Sequence, residues 1–303
     1  MHRTSPLTAS RAGVTLVAGA LLLTACSGGS SPKNADSEDL HGKLPAAVKS
    51  AGVLKIGSDL NYAPVEFKGQ NGDATGLDPD IAEAIGKELG LKIQFVDTGF
   101  DKLLPALQAK DIDVAMSALS DTRQRRDGTD DSGKRTGPGV DFVDYFIAGT
   151  SILVQKGNPK AIRNLDDLCG HTVTLQRGTT QAAIAERQIN SCDKLKKPLT
   201  VHQLDTDDEA LAELGSGKAV ADLNDFPVAA HVSAIDSDKY QVASAQLQPG
   251  PYGIALRKSD TVLRDLMAKA LDRVIRGGEY DKILAKWNVS AGAAQNAVIN
   301  GGF

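Results

Sequence analysis

From residue 53 onward, short apolar runs alternate with stretches whose apolar residues recur every three or four positions, and this alternation narrows the folds open to the chain. Residues 53–57, 91–96 and 111–116 read as strands, because they are short and rich in Val, Ile, Leu and Phe. Between the first two lies a predicted helix. Asp78 fits its N-cap, Pro79 its first turn and Gly90 its C-terminal stop, and Ile81, Ile85 and Leu89 share one face. Between the second and third, Asp101 is expected to cap a helix carrying Leu103, Leu104 and Leu107. Strand, helix, strand, helix, strand describes a parallel sheet covered by helices. A second set follows: strands at 151–155, 172–175, 201–204 and 219–223, with helices at 165–168, 180–189 and 207–216. The chain then returns through a strand at 253–256 to helices at 261–276 and 280–287. Residues 290–303, rich in Ala, Gly and Asn, are expected to be a flexible tail. The predicted class is α/β in two units.

With 303 residues, 41% hydrophobic and 24% charged, the composition excludes a disordered or collagen-like chain and a polytopic membrane protein. The net charge of −4 argues against a nucleic-acid partner.

The amino terminus has the layout of an export signal. A short basic region with Arg3 and Arg11 precedes a small, apolar stretch from 12 to 24. Leu23-Thr24-Ala25-Cys26 resembles a bacterial lipobox, in which Cys26 becomes the lipidated first residue. The plainer alternative is an ordinary signal peptide with an incidental cysteine. The polar run Ser27-Gly28-Gly29-Ser30-Ser31-Pro32 suits a tether and favours the lipobox. Residues 1–25 are thus expected to be removed and 26–51 to tether the body. Loss of Arg3 and Arg11 leaves 32 basic against 38 acidic residues, a balance of −6. Cys169 and Cys192 then form an even pair, which oxidises readily outside the cytoplasm; two buried free thiols are the alternative. No zinc-type Cys/His cluster occurs. A calcium loop at 127–138 fails because Ser132 stands where glycine is needed and Pro138 where the bidentate glutamate is needed. No metal or cofactor is expected.

Four features have the chemistry to hold a ligand. Ser117 and Ser120 follow a strand, with Arg125 just beyond; a guanidinium grips a carboxylate with two charge-assisted bonds, although a solvated basic loop has the same composition. Gly178-Thr179-Thr180 opens a helix whose N–H groups favour an anion or simply carry a threonine cap. Asp225 ends a strand and can face an ammonium group or cap the next helix. Asp59 and Tyr62 follow the first strand, where they can meet a cationic or amide group or merely form a turn. Together the four compose a receptor for a zwitterion.

In the order Gly57-Ser58-Asp59, Tyr62-Ala63-Pro64-Val65-Glu66-Phe67, Gly76-Leu77-Asp78-Pro79-Asp80, Leu104-Pro105-Ala106-Leu107, Asp113-Val114-Ala115-Met116-Ser117, Asp141-Phe142-Val143-Asp144-Tyr145-Phe146, Gln176-Arg177-Gly178-Thr179-Thr180 and Gly277-Gly278-Glu279-Tyr280, the sequence resembles a family 3 extracellular solute-binding protein, the polar amino-acid receptors of ABC importers. The resemblance covers roughly residues 52–287. It implies a two-lobe periplasmic-binding-protein-like fold, each lobe a sheet flanked by helices. Lobe 1 would comprise 52–147 plus 249–289 and lobe 2 148–248, with crossings near 146–150 and 245–251. It further implies that Arg125 binds the ligand's carboxylate, Asp225 its ammonium, and Ser120 and Thr180 act as supporting donors; Ser117 is a further candidate ligand-binding residue. Asp59, Tyr62 and Phe100 would form the side-chain pocket. An acidic Asp59 disfavours glutamate or aspartate and suits a basic or amide amino acid. The expected partners are a free amino acid, an ABC permease and, through the lipid, the membrane; the protein is expected to be a monomer held outside the cytoplasm. An enzyme on the same fold, related to cyclohexadienyl dehydratase and using Glu66 or Asp59 as general acid, is the rival from another class; a ligand-presenting sensor lipoprotein is a third.

Overall fold

The computed structural model describes residues 38–130 and 132–302; the signal segment, Cys26 and the tether through residue 37 lie outside the described residues. Thirteen strands and nine α-helices follow among the described residues. They are α1 (Ala46–Ala51), β1 (Val53–Ser58), β2 (Asn61–Tyr62), β3 (Glu66–Lys68), β4 (Ala74–Thr75), α2 (Leu77–Leu89), β5 (Lys92–Asp97), α3 (Leu103–Ala109), β6 (Val114–Ala115), α4 (Arg123–Asp127) and β7 (Val140–Gln155). Then come β8 (Thr172–Gln176), α5 (Thr180–Lys194), β9 (Thr200–Leu204), α6 (Asp207–Gly215), β10 (Ala221–Asp225), α7 (Phe226–Ile235), β11 (Tyr240–Val242), β12 (Leu247–Arg257), α8 (Thr261–Arg276), α9 (Glu279–Lys286) and β13 (Ala293–Ile299).

The main sheet runs β5-β1-β6-β12-β7-β10-β8-β9. Two parallel sets stand at its ends. In one, β1 pairs with β5 and β6, aligning Ile56 with Phe95 and Val114. In the other, β8 pairs with β9 and β10. The two long strands β7 and β12 pair antiparallel between them, from Val140–Arg257 to Thr150–Leu247. The interior follows the apolar pattern: Leu54, Ile56, Ile81, Ile85 and Leu89 are all buried in one cluster, and Val173, Leu175, Ala221 and Leu223 in another.

Several local expectations change. Helix α2 begins at Leu77, with Gly76 at the cap position, where a side chain would collide with the Val65 carbonyl. Asp78 is not the cap; it is fully buried and takes a 2.7 Å bond from the Tyr145 hydroxyl. Asp101 lies in a 3-10 turn, and α3 has Lys102 at its cap position. The described part of the tether is built into the body, since Leu40 and Leu44 are buried in the core and α1 follows.

The tail is also structured. β13 pairs antiparallel with β7, placing Ala293 opposite Phe146 and Ile299 opposite Val143. Strand pairing is a backbone property, so an Ala/Asn-rich segment can form it where a neighbouring edge is open, and glycine fits where the approach is closest. A side chain at Gly292 would run into the Phe146 ring.

Cys169 and Cys192 are joined in a disulfide across a sequence separation of 23, both sulfurs in the core of the second set. Closing a loop of that length contributes about 3 kcal/mol in the chain-entropy model. Replacing both cysteines by alanine is therefore expected to lower the Tm by about 6–12 °C in scanning calorimetry. A fall of less than about 2 °C would show that the bridge contributes little.

Candidate ligand-binding cleft

Four chain segments converge at the carboxyl ends of the two parallel sets, where open α/β sheets place their ligands. They are the loop after β1 with Asp59 and Tyr62, the segment after β6 reaching α4, the turn from β8 into α5, and the junction of β10 with α7. Asp59, Tyr62, Glu66, Phe100, Ala118, Ser120, Arg125, Gln176, Thr179, Thr180, Gln181 and Asp225 line one narrow cavity there, with an open volume of only about 10 Å³.

At one end stands Asp225. It occupies the cap position of α7 but makes no cap bond with its side chain, which turns into the cleft. Its Oδ1 accepts 2.6 Å from Gln181 Nε2, and its Oδ2 lies 3.1 Å from the Tyr62 hydroxyl. The single Tyr62 proton is shared with Asn224 Oδ1, at 2.7 Å. Burial pushes the Asp225 carboxyl up to about 6, against the opposing pull of Tyr252, Tyr62, Gln181 and the Arg125 charge.

At the other end stands Arg125, in the first turn of α4, which Thr122 caps by accepting from Arg125 N. Nη1 donates to the Ser120 carbonyl at 2.8 Å and Nη2 to the Gly178 carbonyl at 3.1 Å. The guanidinium sits 5.5 Å from the Phe100 ring centroid. Burial lowers its pKa to about 10, with Asp225 and Asp121 opposing, so it stays cationic at neutral pH. Its partners are neutral carbonyls. A carboxylate would offer stronger, charge-assisted bonds to the same fork.

The third wall is acidic. Asp59 accepts from Asn61 Nδ2 (3.1 Å), Phe100 N (3.1 Å) and Gln176 Nε2 (2.7 Å). Behind it, the Ser117 hydroxyl accepts from Asp59 N and donates 2.8 Å to Glu66 Oε1. Glu66 and Asp78 form a buried carboxyl pair. Burial first, then the Asp78 charge, raise Glu66 well above the usual carboxylate range, while burial brings Asp78 to about 6. Ala118, whose N–H donates to Asp78 Oδ2, adopts φ 46, a left-handed conformation that costs a non-glycine residue on the order of 1 kcal/mol.

Of the residues expected at a site, Asp59, Tyr62, Phe100, Ser120, Arg125, Thr180 and Asp225 share this cavity. Ser117 does not. It is fully buried, and its hydroxyl is spent on Asp59 and Glu66. Tyr62 stands with Asp225 and Asn224 rather than at the Asp59 wall. The cap of α5 is Thr179, and the Thr180 hydroxyl lies 3.3 Å from Gln181 Oε1. Gln176 and Gln181 also line the cavity, without being marked by any motif chemistry in the sequence. Their signal was position alone, at the end of a parallel strand and in the first turn of the helix after it.

An α/β body with two parallel sets, joined by paired strands and facing a cleft that carries a guanidinium at one end and a carboxylate at the other, has the architecture of a small-molecule receptor. The chain belongs to the bacterial extracellular solute-binding proteins, family 3, whose pattern matches residues 54–290. It is 27% identical over 264 residues to the arginine-binding protein ArgT of Corynebacterium glutamicum, spanning 86% of this chain and 83% of that protein. Among solved structures, an ancestral arginine-binding protein bound to arginine is similar with a TM-score of 0.69 and 35% identity, covering 78% of this chain and 98% of that one. The ancestral amino acid-binding protein AncCDT-1, a precursor of cyclohexadienyl dehydratase, is similar with a TM-score of 0.69 and 33% identity, covering 80% and 97%.

Proposed function

We propose that the protein binds a free basic α-amino acid, arginine foremost, and delivers it to the permease of an ABC importer. The observation that carries this reading is the opposition of Arg125 and Asp225 across one cavity whose remaining wall is acidic. Arg125 takes the α-carboxylate and Asp225, helped by Tyr62, the α-ammonium. Asp59, with Gln176 and Phe100 beside it, meets the side chain; a carboxylate there repels an acidic ligand and attracts a cationic one. Ser120 and Thr180 support the carboxylate end. Burying both charges of the ligand is tolerable only because each meets an opposite charge and hydrogen-bonding groups.

Direct bonds already cross the cleft, from Gln176 to Asp59, from Tyr62 to Asp225 and from Arg125 to Gly178. A ligand enters when the lobes part and exchanges these bonds for its own. β7 and β12 serve as the hinge, with lobe 1 taken as 52–147 plus 249–289 and lobe 2 as 148–248. Lipidation at Cys26 would hold the protein at the outer face of the cell membrane, and no described helix is long and apolar enough to cross one.

A thermal-shift panel of the twenty amino acids tests the ligand class. At 100 times its Kd, a ligand stabilises by about 2.7 kcal/mol, a rise of about 5–10 °C in Tm. Arginine and lysine are expected to give the largest shifts. A larger shift with glutamate, or none with any amino acid, would overturn the reading. One observation favours the enzymatic alternative: Glu66 lines the cavity as a buried carboxyl that burial and the Asp78 charge push well above the usual carboxylate range. Incubation with prephenate or arogenate is expected to yield no turnover, because Glu66 is held by Ser117 and Asp78.

A further inference from the structure

The family match ends at residue 290, yet the chain continues in an ordered strand that reaches the binding loop. Beyond β13 each described residue makes a specific bond. Asn300 donates from N to the Phe142 carbonyl, accepts from Phe142 N at 2.8 Å and donates from Nδ2 to Asp141 at 3.1 Å. Gly301 N donates 2.8 Å to Asp144 Oδ2, and Gly302 N 2.8 Å to Asp121 Oδ2.

Asp121 is the link to the cleft. It is 1% exposed, its Oδ1 takes Arg126 Nη1 at 2.7 Å, and its N donates to the Pro251 carbonyl on β12. The preceding residue, Ser120, supplies the carbonyl that holds Arg125 Nη1. The segment from Ser120 to Arg126 is therefore fixed from three sides: by β12, by its own Arg126 and by the tail. The tail's approach leaves no room for a side chain, since a Cβ on Gly302 would collide with the Asp121 carbonyl oxygen.

We infer that the carboxy-terminal segment is a strap that positions Arg125 for the ligand's carboxylate, with Gly302 and Asp121 as its positioning residues. The inference rests on the amino-acid-binding reading above and adds to it a determinant outside the family's matched region. The strap touches no ligand. It acts by holding the carbonyl of Ser120, and so the direction of the guanidinium, in place.

The test uses the full chain with Gly302→Val, and separately a chain ending at Ser290. Calorimetric titration with L-arginine is compared with agmatine, the decarboxylated analogue. Gly302→Val is expected to raise the Kd for arginine at least tenfold while changing that for agmatine less than twofold, because only arginine presents a carboxylate to Arg125. Its apo Tm should stay within about 3 °C of wild type, since the core clusters do not include the tail's last residues. Equal losses for both ligands would mean general destabilisation, and an unchanged arginine Kd would mean that the strap positions nothing; either overturns the proposal. Should the wild-type protein bind neither ligand, the binding reading fails by itself. Amide hydrogen exchange then decides the strap, with faster exchange at 121–128 in Gly302→Val expected and unchanged exchange refuting it. The shorter chain should reproduce the arginine-selective loss where it folds, and Gly302→Val decides the matter where it does not.

Discussion

Arg125→Ala is expected to raise the Kd for arginine more than 100-fold while leaving the apo protein almost as stable as wild type. The asymmetry follows from the two sets of partners. Within the protein, the guanidinium is bonded to two neutral backbone carbonyls and rests on Phe100. Losing such bonds from a half-buried side chain costs on the order of 1 kcal/mol, a Tm change of about 2–4 °C. In the complex, the same fork would face a carboxylate stripped of water. Removing one partner of a desolvated, hydrogen-bonded charge pair costs about 2–5 kcal/mol, and every 1.4 kcal/mol is a factor of ten in Kd. Arg125→Lys should recover little, because an ammonium cannot present two parallel N–H groups. Calorimetric titration beside thermal unfolding reads both effects. Tight arginine binding by Arg125→Ala would remove the carboxylate from this end of the cleft.

Affinity is also expected to fall as the pH drops through about 6, with Asp225 as the group responsible. Burial raises its folded-state pKa to about 6. Below that value the ligand-free protein carries a proton there, and an arriving ammonium must displace it. The apparent Kd should thus be flat from pH 7 to 8 and rise about tenfold per unit well below pH 6. Asp225→Asn should abolish that pH dependence and weaken binding more than 100-fold at pH 7.5. The same shift sets an opposite sign for stability. A carboxylate raised from 3.8 to about 6 contributes stability in full below its unfolded value, and that contribution is lost as the pH climbs through about 6. At pH 7.5 the apo protein bears the cost of the buried charge, so Asp225→Asn is expected to melt higher than wild type, by the equivalent of about 1–3 kcal/mol. A variant that binds arginine as tightly as wild type with an unchanged pH profile would contradict this assignment.

Much of this could be read from residues because the relevant signals are local. The runs at 53–57 and 91–96 became β1 and the edge strand β5, since alternating apolar residues suit a strand, whereas of 111–116 only Val114–Ala115 is strand and 111–113 bend. Asp59 and Asp225 stood out because each is charged and placed where a strand ends, and Arg125 because its guanidinium follows two serines shortly after a strand. What escaped notice depends on direction and on distant partners. Whether a serine after a strand faces the cleft or the interior is decided by one residue of register; Ser117 faces inward to Glu66 and Ser120 lines the cavity. Asp78 fits a cap by local chemistry, yet Tyr145, 67 positions away, is what satisfies it. The sequence offers Glu66 only as a general acid; that it lies buried beside Asp78 depends on tertiary contact. The tail looked loose because its composition carries no apolar periodicity, and its order comes from the open edge of β7 and the carboxylates of Asp121 and Asp144.

The most direct test of the central claim is a crystal structure of the protein grown with L-arginine. The α-carboxylate should lie within hydrogen-bond distance of both terminal nitrogens of Arg125, the α-ammonium against Asp225, and the ligand's guanidinium toward Asp59. Arginine bound in the reverse sense, or in a cavity that does not contain Arg125 and Asp225, would contradict it.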